Sequence, residues 1–156
     1  MIPIKVLVPS GVLGLGFDLE ALNNGVKNNP DIISIDGGST DSGPYSLGSG
    51  TSKYSRAAIK AEWKSLMIAR KKANVPLVIG SCGTCGTNGM VDWMENITIE
   101  LAEELNQNIK IAKLYCQQEK NFIKKKFLLS KIFPLNPAPM LNDHLIEEMT
   151  NIVALA

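Results

Sequence analysis

Short β-branched runs alternate along this chain with longer segments whose apolar residues recur at helical spacing. Lys5-Val6-Leu7-Val8, Asp31-Ile32-Ile33-Ser34-Ile35-Asp36 and Pro76-Leu77-Val78-Ile79-Gly80 predict strands over about residues 4–8, 31–36 and 76–80. A helix opens at Asp18, a good N-cap, runs through Leu19, Leu22 and Val26, and is stopped by Asn28-Asn29-Pro30. A second opens near Ser55 and sets Ile59, Trp63, Leu66, Met67 and Arg70 on one face; a third places Val91, Met94, Ile97, Leu101 and Leu105 likewise. Lys110-Ile111-Ala112-Lys113-Leu114-Tyr115 alternates as a half-exposed edge strand would. Beyond it the pattern predicts a helix near 118–130, a proline-punctuated loop at Phe133–Pro139 and a last helix from about Asn142.

This order predicts an α/β fold: a three-layer open sheet of about four parallel strands with helices on both faces, Rossmann-like or flavodoxin-like. Strand order 2-1-3-4 would set the loops after the first and third strands side by side at a switch point; order 3-2-1-4 obeys the same rules.

Composition narrows the class. The 156 residues, 45% of them hydrophobic, suffice for one core, so residues 1–156 read as a single α/β domain. Sixteen basic against fifteen acidic residues leave a net charge of +1, with no footprint for nucleic acid. Lys124-Lys125-Lys126 sits among apolar residues at helical spacing and reads as a solvated helix face. No run approaches the roughly 18 apolar residues of a membrane helix. Three cysteines, and an N-terminal apolar stretch broken by Pro3 and Pro9, point to a reducing compartment and a cytoplasmic location.

Candidate chemistry gathers after the strands. Ser10-Gly11-Val12-Leu13-Gly14-Leu15-Gly16 follows the first, Asp36-Gly37-Gly38-Ser39-Thr40-Asp41-Ser42-Gly43-Pro44 ends the second, and Gly80-Ser81-Cys82-Gly83-Thr84-Cys85-Gly86-Thr87 ends the third. In open α/β sheets ligands bind beyond the carboxyl ends of the strands, and glycine-rich backbone at helix starts favours an anion. The expected ligand is a small anionic metabolite. Backbone amides at Gly11, Gly14, Gly38 and Ser39 would hold it, with Ser10, Gly16, Gly37, Thr40, Tyr45, Arg56, Ser81 and Gly83 completing the contacts. Asp36 and Asp41 are the candidate acid/base or metal-orienting groups, and Cys82 the candidate nucleophile. Their structural alternatives are turn capping for the aspartates and packing for the cysteine.

Other readings stay open. Asp36 lies about twenty residues after the Gly11–Gly16 loop, as the ribose-binding acid of a dinucleotide site would. Ile35-Asp36-Gly37-Gly38-Ser39-Thr40 also invites comparison with the phosphate hairpin of actin-like kinases, although Ser46–Ser52 is poor in strand formers. Cys82-x-x-Cys85 could be half of a zinc site or a redox pair, but only Cys116 and His144 remain as further ligands.

Taken together, Ser10-Gly11-x-x-Gly14-x-Gly16-Phe17, Asp36-Gly37-Gly38-Ser39-Thr40-Asp41-x-Gly43-Pro44-Tyr45-x-Leu47-Gly48-Ser49-Gly50 and Ile79-Gly80-Ser81 resemble the acyclic terpene utilisation proteins, some of which carry the label 3-methylaspartate ammonia-lyase. The resemblance implies that this chain matches the N-terminal part of a longer architecture. It also implies a catabolic setting, with branched or terpenoid acids handled as carboxylates or CoA thioesters. CoA is the cofactor this setting implies, a divalent metal held by Asp36 is the one the residues themselves allow, and a homo-oligomer or a partner chain would complete the site. No lysine or histidine in these loops stands where a lyase base is needed. The open alternatives are a non-catalytic binding or regulatory subunit and a nucleotide-binding domain.

Overall fold

A computed structural model describes residues 3–9, 11–38 and 44–154. In chain order the elements are β1 (Val6–Leu7), α1 (Leu19–Lys27), β2 (Ile32–Asp36), α2 (Tyr45–Ser49), α3 (Arg56–Ala73), β3 (Leu77–Gly80), α4 (Asn88–Glu104), α5 (Lys120–Leu128) and α6 (Asp143–Glu148).

The helix starts follow the capping chemistry. Asp18 accepts the Glu20 and Ala21 N–H groups, Ser55 that of Ala58, Thr87 that of Met90 and Asn142 that of Leu145. Each satisfies donors that the first helical turn leaves unpaired. Asn74, left-handed at φ 56, closes α3 with its N–H on the Arg70 and Lys71 carbonyls. Gly25 lies where α1 packs on β1, and a Cβ there would meet the Leu7 side chain.

The three strands form one parallel sheet in the order β1-β2-β3, with Val6 opposite Ile32 and Ser34 opposite Val78. The middle strand is therefore β2, which corrects the order 2-1-3-4; the three strands follow the 3-2-1 part of the other order. Two successive right-handed crossovers in one direction place α1 and α3 on the same side of the sheet.

One core results. Leu22 and Val26 of α1, Ile59, Trp63, Leu66 and Met67 of α3, and Met94, Ile97 and Leu101 of α4 pack with Ile33 and Ile35 of β2. These side chains meet one face of the sheet, so among the described residues the packing has two layers rather than the expected three. The Trp63 indole N–H donates to Thr98 Oγ1 at 2.9 Å, which ties α3 to α4 inside this core. Outside it, Arg56, Lys60 and Lys64 of α3 interleave with Glu100 and Glu104 of α4 in an ion-pair ladder.

Residues 110–115 run outside the three-strand ladder, and all are exposed. The fourth strand expected there is absent from the described pairing. The later chain is held by the buried Ile146 of α6 and by polar contacts: Gln117 forms an antiparallel bridge with Val153, and the Gln118 N–H reaches the Ile152 carbonyl at 2.7 Å. No helix among the described residues is long and apolar enough to cross a membrane.

Candidate functional site

The parallel sheet brings the ends of β2 and β3 together, with Asp36 in register with Gly80. Beyond that pair the two loops interlock. The Gly37 N–H donates to the Gly80 carbonyl at 2.6 Å, and the Thr84 N–H donates back to the Gly37 carbonyl at 3.1 Å. Gly38 packs on the Thr84 main chain, where any side chain on it would collide. Thr84 is nearly fully buried, and its hydroxyl accepts the Lys53 N–H at 3.1 Å. Gly37 and Gly38 thus serve loop-to-loop contact.

Among the described residues, positive φ values are densest in the β3 loop. Four of the six residues from 81 to 86 have positive φ: Ser81 at 47°, Gly83 at 59°, Thr84 at 75° and Gly86 at 66°. For a β-branched residue such as Thr84 this region is a steric outlier. Such strain persists only when the surroundings over-determine it, and it clusters at functional sites. The backbone N–H groups of Ser81, Gly83 and Cys85 have no acceptor among the described residues. Loops with left-handed residues interspersed in this way make concave anion nests.

The β1 loop is already occupied. A carboxylate from α3, Glu62, accepts the Gly14 N–H at 2.7 Å and the Gly16 N–H at 2.8 Å. Gly14 and Gly16 were expected to offer these amides to a ligand; an internal anion fills that role instead. Gly14, at φ +107, has no space for a Cβ against the Tyr54 ring, while Gly11 faces open space. The loop itself crosses the end of β2, with the Leu13 N–H on the Asp36 carbonyl at 2.8 Å.

Asp36 is exposed at the end of β2, and its Oδ1 accepts the Gly38 N–H at 3.0 Å. It thus caps the turn and takes up the Gly38 amide assigned to an anion. Its second carboxylate oxygen has no partner among the described residues. Ser81, half-buried, follows Gly80, the residue in register with Asp36. Cys82 is buried, and desolvation pushes its thiol up to about 11. A thiol so protonated is a poor nucleophile at neutral pH. Gly83 packs on Met90, Tyr45 opens α2 with its ring exposed, and Arg56 is drawn into the ladder by Glu100. Ser10, Ser39, Thr40 and Asp41 lie outside the described residues.

Sequence reasoning missed Glu62, Thr84, Gln117 and Asn151. The Asn88 N–H, at the start of α4, donates to Gln117 Oε1 at 3.1 Å, and Asn151 Nδ2 donates to the Leu47 carbonyl at 2.8 Å. These long-range contacts bring the 117 and 151 segments against α2 and α4, beside the β3 loop. A larger cleft of about 830 Å³ runs from Cys82 along β3 between α3, α4 and residues 108–114, with Met67, Ile79, Met94 and Ile109 among its walls. Its volume is in the range of small-molecule sites.

Among the described residues no three His, Cys, Asp or Glu side chains gather as a metal site, and Cys82, Cys85 and Cys116 are free thiols. A parallel α/β domain with a braced strand-end loop is therefore the class that fold and site define. No family model, no curated protein and no solved structure matches the chain.

Proposed function

We propose that this domain binds a small anionic metabolite, a carboxylate or the acyl portion of a CoA thioester, at the β2 and β3 strand ends. The observation that carries the reading is the β3 loop: strained, braced by Gly37 and Gly38, and with N–H groups of Ser81, Gly83 and Cys85 unpaired among the described residues. A conformation that costs free energy and leaves donors unpaired is retained where a ligand repays it. The loop amides hold the anion, the Ser81 hydroxyl contacts the group beside it, and the second carboxylate oxygen of Asp36 orients a substrate hydroxyl or accepts its proton. The cleft beyond Cys82 accommodates the apolar remainder.

The motif resemblance to acyclic terpene utilisation proteins makes branched or terpenoid acids the substrates to try first, in a cytoplasmic catabolic enzyme. One observation favours a second reading, a non-catalytic binding subunit: the thiol at the site is held neutral by burial.

Thermal-shift assays with acyl-CoAs, small branched carboxylates, NAD and ATP test the binding. A ligand at about 100 times its Kd adds about 2.7 kcal/mol. Asp36→Asn keeps a carbonyl oxygen to cap Gly38, so it should fold and bind while losing turnover. Turnover that survives in Asp36→Asn removes Asp36 from the chemistry. Stabilisation by NAD or ATP alone contradicts the metabolite reading.

A further inference from the structure

The cleft along β3 differs in chemistry between its two ends. Parallel strands require a crossover helix to run back against them, so α3 ends where β3 begins and α4 starts beyond the end of β3. Lys113 reaches Asp92 and Glu95 in the first half of α4, so residues 110–113 lead back along the cleft toward that far end. Arg70, in the last turn of α3, and Lys110, beyond the end of α4, therefore line the cleft where β3 starts. Cys82 and Val91 line it at the opposite end, beside the candidate anion loop.

Between the two ends Met67, Leu77, Ile79, Met94 and Ile109 make the walls apolar. Among the cations that line the cleft, Lys113 is neutralised by Asp92 and Glu95. Arg70 and Lys110 have no carboxylate partner among the described residues. The Arg70 Nε donates to the Val75 carbonyl at 3.3 Å, which holds the guanidinium at the start of β3, and its two terminal nitrogens have no acceptor among the described residues. A guanidinium fixed in this way is preorganised to take a carboxylate in a two-pronged pair. From Val75 to Gly80 the chain advances roughly 16 Å at about 3.3 Å per residue.

We propose that the cleft takes a long acid with an anionic group at each end, an α,ω-dicarboxylate or its monothioester, and that Arg70 and Lys110 select it. The inference rests on the reading of the Ser81, Gly83 and Cys85 amides as the anion site, which receives one end. The apolar chain lies along β3, and the far carboxylate meets Arg70 as a fork and Lys110 as a point charge. The volume of about 830 Å³ is in the range that holds a ligand of this kind. A simple fatty acid fills the same apolar stretch and leaves both cations unmatched. A short branched acid reaches the loop alone.

Titration calorimetry on the full chain with dodecanedioate, dodecanoate and isovalerate tests this. Dodecanedioate should bind about tenfold more tightly than dodecanoate, the gain expected of a charge-assisted pair. Arg70→Gln and Lys110→Gln should each reduce that advantage and leave dodecanoate binding unchanged. Lys110 is exposed, so Lys110→Gln keeps the test valid if Arg70→Gln, which loses the Val75 contact, fails to fold. Equal affinity for the two long acids, or an advantage that survives both variants, overturns the proposal and leaves the strand-end reading standing. Binding of isovalerate with neither long acid does the same. No binding by any of the three overturns both.

Discussion

Gly38 lies so close to the main chain of Thr84 that a Cβ on Gly38 would fall inside it. This contact holds the β2 loop against the β3 loop and, with the Thr84 N–H on the Gly37 carbonyl, maintains the left-handed Thr84. The close approach of two backbones, rather than the conformational freedom of glycine, explains the residue here.

Gly38→Ala must therefore push the loops apart. Overpacking against backbone costs about 1–3 kcal/mol or more, so urea denaturation should show a loss of at least about 2 kcal/mol. An unchanged midpoint would mean that the loops are not held in contact in solution.

The carboxylate of Glu62 is the internal anion of the β1 loop, bonded to the amides of Gly14 and Gly16. Glu62→Ala leaves both donors without it and should destabilise the domain by about 2 kcal/mol, as hydrogen bonds to charged groups do. Glu62→Gln keeps one acceptor oxygen and should cost less. Equal losses in the two variants would assign the effect to packing of the Glu62 stem.

The ladder between α3 and α4 gives a pH dependence with a defined sign. The side-chain hydrogen bonds of Arg56 and then Lys60 hold the Glu100 carboxyl down at about 2, below its ordinary 4.5. Lys60 and Lys64 lower Glu104 in the same way. A depressed carboxyl contributes stability above its unfolded value, and that contribution is lost as pH falls through the folded one. These groups are at the surface, so the effect is modest and screened by salt. Tm should fall between about pH 4.5 and 2 less steeply in Glu100→Gln than in the wild type, and the difference should shrink in high salt. Parallel profiles would remove the ladder from the acid limb.

Burial keeps the Cys82 thiol protonated, while Cys85 and Cys116 are half-buried. Iodoacetamide at neutral pH should label Cys85 and Cys116 first, and mass spectrometry of peptides should find Cys82 modified only on unfolding or as pH approaches about 11. Rapid labelling of Cys82 at pH 7 would reinstate it as a nucleophile.

The elements were legible because local rules governed them. Asp18 caps the helix it was expected to cap, helices open at Ser55 and Asn142 where the pattern placed their starts, and Ile59, Trp63, Leu66 and Met67 bury the face their spacing marks. What the sequence could not show depends on distant partners. The strand run Lys110–Tyr115 has good alternation, yet pairing needs a neighbour in register and β3 does not take it up. The strand order was misplaced because right-handed crossovers permit more than one order. Glu62 sits in a helix among other charged residues, and only the fold reveals that its carboxylate reaches two loop glycines. The short helix α2 replaces what reads as open loop, because Pro44 and Gly50 bracket a single turn that Asn151 and Thr150 then cap from more than a hundred residues away.

The most direct test of the site is a ¹H–¹⁵N correlation spectrum of the labelled chain, titrated with a branched-chain acyl-CoA and with the free acid. Binding at the β3 loop predicts saturable shifts of the Ser81, Gly83 and Cys85 amides, with Gly14 and Gly16 unmoved because Glu62 holds them. Shifts at Gly14 and Gly16, with the β3 loop silent, would contradict the account.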